Sequence, residues 1–101
     1  MYSRIVSAQI QPGRMDELAN IFEHSVTPLL KKVPGFISIS LLEDRDTNKA
    51  VFIGMYESVA AMKSIEANGF YQEQMAKFAV CMSCPPTREF YEVRSTVTSS
   101  S

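Results

Sequence analysis

The segment from 50 to 56 (AVFIGMY) has no charged side chain and constrains the fold more than any other part of the chain. Side chains alternate across a strand, so Val51, Ile53 and Met55 point to one face and the residues between them to the other. A strand with one face in water carries polar residues at every second position, and this one does not. We therefore predict a strand buried on both faces, by the helices on one side and by a second copy of the protein on the other.

The length and charge of the chain limit its class. With 101 residues the chain has room for one domain, predicted at 1–96 and followed by a polar tail at 97–101. Ten basic and eleven acidic residues give a net charge of -1 without a basic stripe, so we expect no nucleic-acid partner. The apolar runs are too short for a bilayer, and the first residues do not resemble a signal peptide. These features predict a cytoplasmic protein without a membrane contact.

Residue spacing predicts the order of the elements. Alternating patterns indicate strands at 2–10, 35–43, 50–56 and 87–96, and spacings of three and four residues indicate helices at 14–33, 59–66 and 70–82. Asn68-Gly69 divides the last two helical pieces, so the order is β-α-β-β-α-β with a broken second helix. The economical α+β topology for this order is ferredoxin-like, an antiparallel four-stranded sheet with the first and third strands in its centre.

Two local features refine this prediction. Pro28 lies inside the first helical pattern and removes the hydrogen bond to the carbonyl of His24, so we expect a kink there. In the second strand, simple alternation places Ile37, Ile39 and Leu41 on one face.

Several short motifs occur at matching places along these elements. They are Pro12-Gly13 before the first helix, Val33-Pro34-Gly35-Phe36 entering the second strand, Tyr56-Glu57-Ser58 after the third, Asn68-Gly69-Phe70 in the second helix, and Phe90-Tyr91-Glu92-Val93 in the last strand. With them the chain resembles the antibiotic biosynthesis monooxygenase family of dimeric α+β barrels. The resemblance implies a homodimer in which two sheets pack face to face.

The resemblance also implies a range of activities. Members of this family include cofactor-independent oxygenases of quinols or polyphenols and enzymes that degrade heme. The heme-degrading type uses Asn, Trp and His where this chain has Val6, Ile65 and Gln74. Glutamine is a poor ligand for heme iron, and the chain has no Trp, so heme chemistry is not expected. The quinol-oxidising type often carries His near the positions of Ile65 and Phe70, which are apolar here.

Two residue types with potential chemistry, histidine and cysteine, are not predicted to form a site. His24, the single imidazole, lies opposite the apolar stripe of its helix and is predicted to face solvent. Cys81 and Cys84 have the spacing of a redox motif but lie at a helix C-terminus, where the dipole raises a thiol pKa. We therefore expect neither a reactive dithiol nor a metal site.

The candidate pocket between helices and sheet contains Tyr56, Tyr71, Gln74 and Tyr91. Buried phenols usually find hydrogen-bond partners, and an apolar pocket with a few polar groups suits a small aromatic ligand. Arg94, on the last strand, is predicted to be a solvated residue at the edge of the sheet.

Two functions remain open. One is a monooxygenase without a cofactor that acts on a small hydroxyaromatic such as a quinol or polyphenol. The alternative is a non-catalytic dimeric module of the same fold that binds a small ligand or serves in stress. A closed cavity of ~300 Å³ or more, lined by at least two of these polar groups, would favour an enzyme or a ligand-binding protein. A cavity filled by Met and Phe side chains would favour a structural role.

Overall fold

The structure, a computed structural model, describes residues 1–99. Its elements are β1 (Tyr2–Gln9), α1 (Met15–Ile21), a π-helical segment (Phe22–Val26), α2 (Thr27–Leu30), β2 (Phe36–Asp44), β3 (Lys49–Tyr56), α3 (Val59–Ala67), α4 (Phe70–Phe78), a 3₁₀ turn (Ala79–Cys81) and β4 (Thr87–Glu92). Of the polar tail predicted at 97–101, residues 100 and 101 lie outside the described residues.

The four strands form one antiparallel sheet in the order β2-β3-β1-β4. The central pair runs in register from Tyr2 opposite Tyr56 to Gln9 opposite Lys49. This arrangement confirms the predicted α+β ferredoxin-like fold, with the first and third strands in the centre.

The helices all pack on one face of the sheet, where the core lies. Alternate residues of β1 and β3 meet the apolar stripes of the helices in this core, which includes Val6, Phe52, Leu18, Phe22 and Phe78. The Phe52 ring contacts Phe22 and Phe78, with ring centres 5.6 and 5.0 Å apart. No helix within residues 1–99 has the length and apolar character needed to cross a membrane.

The first helix changes geometry immediately before its proline. A π-helical segment ends at Val26, and Pro28 lies in the first turn of α2. Proline cannot donate to the preceding turn, and the wider π turn absorbs this loss. The Thr27 hydroxyl donates to the Glu23 carbonyl at 3.0 Å within the same region.

The break in the second helix lies at Gly69, as the sequence predicts. Gly69 has a φ of +83°, a left-handed conformation that glycine adopts without steric cost, and α4 begins at the next residue. Upstream, the Ser58 hydroxyl accepts a hydrogen bond from the amide of Ala61 at 3.1 Å and caps α3. The second helix is therefore divided into two pieces at this glycine.

Two predictions about the edge strands are wrong. A bulge between Phe36 and Ser38 shifts the alternation, so Ile37 is 46% exposed while Phe36 packs against the core. β4 ends at Glu92 rather than 96, and past it the amide of Val93 donates one further backbone hydrogen bond to the carbonyl of Met1 at 2.9 Å.

The other face of the sheet is also apolar at its centre. Its side chains include Ile5, Leu42, Val51, Ile53, Met55 and Tyr91. Leu42 and Tyr91 are 47% and 49% exposed, and the helices of the described chain lie on the opposite side. The alternation predicted for β3 is confirmed, with Phe52 and Tyr56 towards the helices.

Candidate functional site

A cavity lies between the sheet and the helices, next to the core. The cavity has a volume of about 40 Å³. Its wall is mostly aromatic and aliphatic, with four polar side chains; the lining residues are Arg4, Val6, Phe22, Val26, Leu30, Ile39, Phe52, Gly54, Tyr56, Ile65, Phe70, Tyr71, Gln74, Met75 and Phe78. The volume suffices for a few waters but is well below the ~300 Å³ of a typical ligand pocket.

Arg4 provides the positive charge of this cavity. It lies in the centre of β1, opposite Gly54 of β3 and Phe90 of β4, and it is only 5% exposed. One terminal nitrogen donates to the Tyr56 hydroxyl at 3.3 Å, and the other donates to the Met62 carbonyl at 3.4 Å. Its guanidinium is therefore held against the inner wall by two weak hydrogen bonds.

Tyr56 stands at the end of β3 and is almost fully buried. Burial raises the pKa of its phenol, and the nearby Arg4 charge only partly opposes this effect. Gly54 makes room for the ring, because a Cβ atom there would lie 3.2 Å from Cε2 of Tyr56. At neutral pH the Tyr56 hydroxyl thus keeps its proton and acts as a neutral hydrogen-bonding group.

Tyr71 forms the outer side of the cavity in the first turn of α4. Its ring lies between two guanidiniums, with the central carbon of Arg4 4.1 Å and that of Arg88 5.3 Å from the ring centre. Burial raises the pKa of this phenol, and the two arginines oppose the shift. Glu66 forms a salt bridge with each arginine. Its Oε1 atom lies 2.8 Å from Nη1 of Arg88 and 3.9 Å from Nη2 of Arg4.

Gln74 faces the cavity from α4 and is 5% exposed. Its Oε1 atom has no hydrogen-bond partner, and neither does Nε of Arg4. Buried polar atoms of this kind are rare, because each one loses its hydration without compensation. Both residues line the cavity, so its wall contains two polar side chains whose hydrogen bonds the described protein leaves incomplete.

The structure brings three of the four predicted pocket residues together and leaves one elsewhere. Tyr56, Tyr71 and Gln74 line the cavity, whereas Tyr91 lies on the opposite face of the sheet. Tyr91 pairs with Ser3, one residue out of phase with Arg4, so alternation turns it away from the helices. Its hydroxyl donates instead to Glu89 at 2.6 Å.

The histidine, the cysteines and Arg94, which the sequence did not place in the pocket, lie outside the cavity. His24 and Arg94 are exposed, as predicted, and Cys84 is exposed in the turn before β4. Cys81 is fully buried, and its thiol lies 3.3 Å from a carboxylate oxygen of Glu17. Burial, with that carboxylate as a second cause, raises the pKa of Cys81 to about 11, so the thiol stays protonated.

Arg4 is a site residue that was not among the predicted pocket residues. The signal was present, because Arg4 shares the strand parity of Val6 and Ala8, both of which face the helices. An arginine at a core-facing position of a central strand is exceptional and suggests a buried functional charge. The positions Val6, Ile65 and Phe70, singled out by the resemblance, also line the cavity.

The family profile of antibiotic biosynthesis monooxygenases matches residues 1–77. The chain therefore belongs to the antibiotic biosynthesis monooxygenase family. Comparison with curated protein sequences gave no significant match.

Several solved structures share the fold over nearly the whole chain. A monooxygenase from the gene ActVA-Orf6 of Streptomyces coelicolor, in complex with the ligand nanaomycin D, has a TM-score of 0.83 at 20% identity and covers 98% of this chain and 92% of its own. SnoaB, a cofactor-independent oxygenase from Streptomyces nogalater, has a TM-score of 0.77 at 17% identity with 97% of each chain covered. Rv0793 from Mycobacterium tuberculosis has a TM-score of 0.75 at 18% identity, covering 96% of this chain and 98% of its own.

Proposed function

We propose that this protein is a cofactor-independent monooxygenase of a small hydroxyaromatic compound. The observation that carries the proposal is the cavity, in which Arg4, Tyr56 and Gln74 converge within an aromatic wall. Membership of the monooxygenase family supports it, as does the fold shared with a cofactor-independent oxygenase.

The proposed reaction draws its electrons from the substrate. A phenol and dioxygen give a quinone and water: one oxygen atom forms the new ring carbonyl, and the other leaves with two hydrogens. The substrate loses four electrons, which reduce both oxygen atoms. The protein would orient the ring, exclude bulk water and stabilise the negative charge that develops on oxygen.

A substrate ring needs more space than the closed cavity offers. Tyr71 and Phe70 lie in the first turn of α4, and both are partly exposed. They can move outward without opening the core around Phe52, which lies deeper. In this proposal the ring enters by displacing the first turn of α4, which follows the glycine at the helix break.

Oxygen consumption tests the proposed activity. We would screen quinols and polyphenols with the wild type, Tyr56→Phe and the matched control Tyr91→Phe, which removes a hydroxyl on the other face of the sheet. Wild type and Tyr91→Phe should consume oxygen, and Tyr56→Phe should lose at least ~10-fold in kcat/KM. If the wild type consumes no oxygen above background with any of these substrates, the proposal is wrong.

The small volume of the cavity favours a second candidate, a non-catalytic module that binds a small ligand. A space of about 40 Å³ beside two protonated phenols leaves no room for a ring and dioxygen together, whereas a ring alone could bind by the same displacement of α4. Binding of a quinol that protects the protein from thermal unfolding, without oxygen uptake, would favour this alternative.

We also propose that the protein is a homodimer joined through the outer face of the sheet. Ile5 and Ile53 lie opposite each other at the centre of this face, with Val51 and Met55 beside them. An apolar sheet surface of this kind is stable in water only when it is covered. A second copy is self-complementary about a two-fold axis and supplies the matching surface.

Sedimentation at micromolar concentration tests the dimer. Ile53→Lys places a charge at the centre of the proposed interface and should give a monomer. Leu29→Lys, at an exposed apolar position on the helix side, is the control and should leave the dimer intact. A monomeric wild-type protein would contradict the proposal.

A further inference from the structure

We propose that an open groove between α4 and the turn before β4 binds one Cu(I) ion through the sulfur atoms of Met75, Met82 and Cys84. The groove has a volume of about 430 Å³, and the described residues that line it are Met75, Ala76, Ala79, Met82, Ser83, Cys84, Pro85 and Pro86. Three of these eight residues carry sulfur, whereas the whole chain has six methionines and two cysteines in 101 residues.

The two cysteines do not act as a pair in this proposal. The sequence predicted no metal site from them, because a second pair of ligands was missing. In the structure Cys81 is buried against Glu17, whereas Cys84 lines the groove together with two methionines. The missing ligands are therefore thioethers, which the spacing of the cysteines does not reveal.

The side-chain donors of the groove are chemically soft. Its alanines and prolines have no donor atom in their side chains, and the Ser83 hydroxyl already donates to the carbonyl of Gln9 at 3.3 Å. Two thioethers and one thiol remain. Thioether and thiolate ligands suit Cu(I), whereas Zn²⁺ takes four ligands from cysteine, histidine and carboxylates. The ligand set thus favours a soft ion over zinc.

A single thiolate balances the charge of such an ion. When Cu(I) binds, the S–H bond of Cys84 breaks, a Cu–S bond forms and the proton goes to solvent, without any electron transfer. One positive ion with one thiolate is neutral, and the two thioethers carry no charge. A neutral site costs little against a wall of alanine and proline, whereas a divalent ion would leave one charge there without compensation.

The turn that carries Met82 is fixed to the end of β1. Met82 pairs with Ile10, and its carbonyl accepts a hydrogen bond from Nε2 of Gln11 at 3.0 Å. The amide of Ser83 donates to the carbonyl of Gln9 at 2.9 Å. The backbone beside the proposed site is therefore held in place before an ion binds.

The other two sulfur residues also lie on restricted backbone. Cys84 is exposed and precedes Pro85, which confines the backbone of Cys84 to extended conformations. Met75 lies within α4, and both methionines are partly buried and pack against the core. Their unbranched side chains have three torsions each, so the thioethers can turn towards an ion while the backbone stays fixed.

Anaerobic competition with the chromogenic chelator bicinchoninate tests this site, with Cu(I) as the probe. The wild type should withdraw one Cu(I) per chain from the chelator. Cys84→Ser, Met75→Leu and Met82→Leu each remove one sulfur donor, and each should weaken binding at least ~10-fold, a loss seen even for changes next to metal ligands. Cys81→Ala and Met15→Leu, which remove sulfur atoms outside the groove, are the controls and should keep the affinity.

Several outcomes would overturn the proposal. A wild type that does not compete for Cu(I) would do so, as would an unchanged affinity in either methionine variant, because Cys84 would then act alone. One ion per two chains would mean that exposed thiols of two molecules share it. Loss of binding in Cys81→Ala would place the ion at the buried thiol instead.

Two features keep the test informative. Cys84 is exposed, so its serine variant leaves the core intact whatever the methionine variants do to folding. Copper competition involves neither oxygen uptake nor a ring in the cavity. Its result therefore stands apart from the proposed activity.

Discussion

The guanidinium carbon of Arg4 lies over the ring of Tyr71, 4.1 Å from its centre. Such a cation–π contact is strongest away from water, and here Arg4 is buried. Tyr71 thereby covers the charge on the wall of the cavity. A ligand ring that reaches Arg4 has to compete with this contact.

Removing the Tyr71 ring should open the cavity. We expect Tyr71→Ala to bind 4-nitrophenol several-fold more tightly than the wild type, because the ligand no longer displaces a protein ring. The same change should lower the free energy of unfolding by about 1–3 kcal/mol, since a half-buried aromatic ring is lost. Spectroscopic titration and urea unfolding measure the two effects.

The control for this prediction is Tyr71→Phe, which keeps the ring over Arg4 and should leave the affinity close to that of the wild type. Weaker binding by Tyr71→Ala would mean that Tyr71 contacts the ligand rather than excludes it.

Glu66 should tune the charge of the site. Glu66→Gln leaves Arg4 and Arg88 beside each other without a carboxylate, so the cavity becomes more positive. We expect tighter binding of 4-nitrophenolate and a loss of stability of about 1 kcal/mol, because one partner of the pair is exposed. Glu73→Gln, an exposed carboxylate on α4, is the control and should change neither quantity. Weaker phenolate binding by Glu66→Gln would mean that the Glu66 carboxylate does not offset the charges of Arg4 and Arg88 in the cavity.

The overall topology was predictable because an error of one or two residues at the end of an element does not change the order of the elements. The apolar period of each helix and the two-sided apolar strand 50–56 fix the order and centre of the sheet. Position on the helical wheel likewise gave the exposure of His24.

Two of the errors, at Ile37 and Tyr91, share one physical cause, the two-residue period of a strand. Shifting the phase by one residue moves a side chain to the other face, and phase is set by pairing partners that the local sequence does not reveal. A bulge reversed this phase at Ile37, and pairing with Ser3 turned Tyr91 away from the cavity. Arg4 is different, because its phase was readable from the sequence but arginine is seldom found on the buried face of a strand.

Gly54 should be required for the position of Tyr56. In Gly54→Ala the new Cβ would lie 3.2 Å from Cε2 and 3.4 Å from the hydroxyl of the Tyr56 ring. That ring is fully buried and cannot move freely, so we expect a loss of about 1–2 kcal/mol in the free energy of unfolding. A double-mutant cycle tests the cause: in a Tyr56→Leu background, Gly54→Ala should cost much less. An equal cost in both backgrounds would place the strain elsewhere.

The buried thiol of Cys81 should make stability fall at alkaline pH. Its pKa is about 11 in the folded protein against an ordinary value of 9.0, mainly because of burial. Between these pH values the unfolded chain binds fewer protons than the folded one, so the free energy of unfolding decreases as pH rises, by up to roughly 2–3 kcal/mol. Urea unfolding of the wild type and Cys81→Ala, at about pH 8 and about pH 10.5, isolates this effect, because other titrating groups are common to both proteins. Cys81→Ala should be less stable than the wild type at the lower pH, where the core loses a buried side chain, and the difference should shrink at the higher pH. A difference that stays constant would mean that the folded protein ionises this thiol as readily as the unfolded chain does.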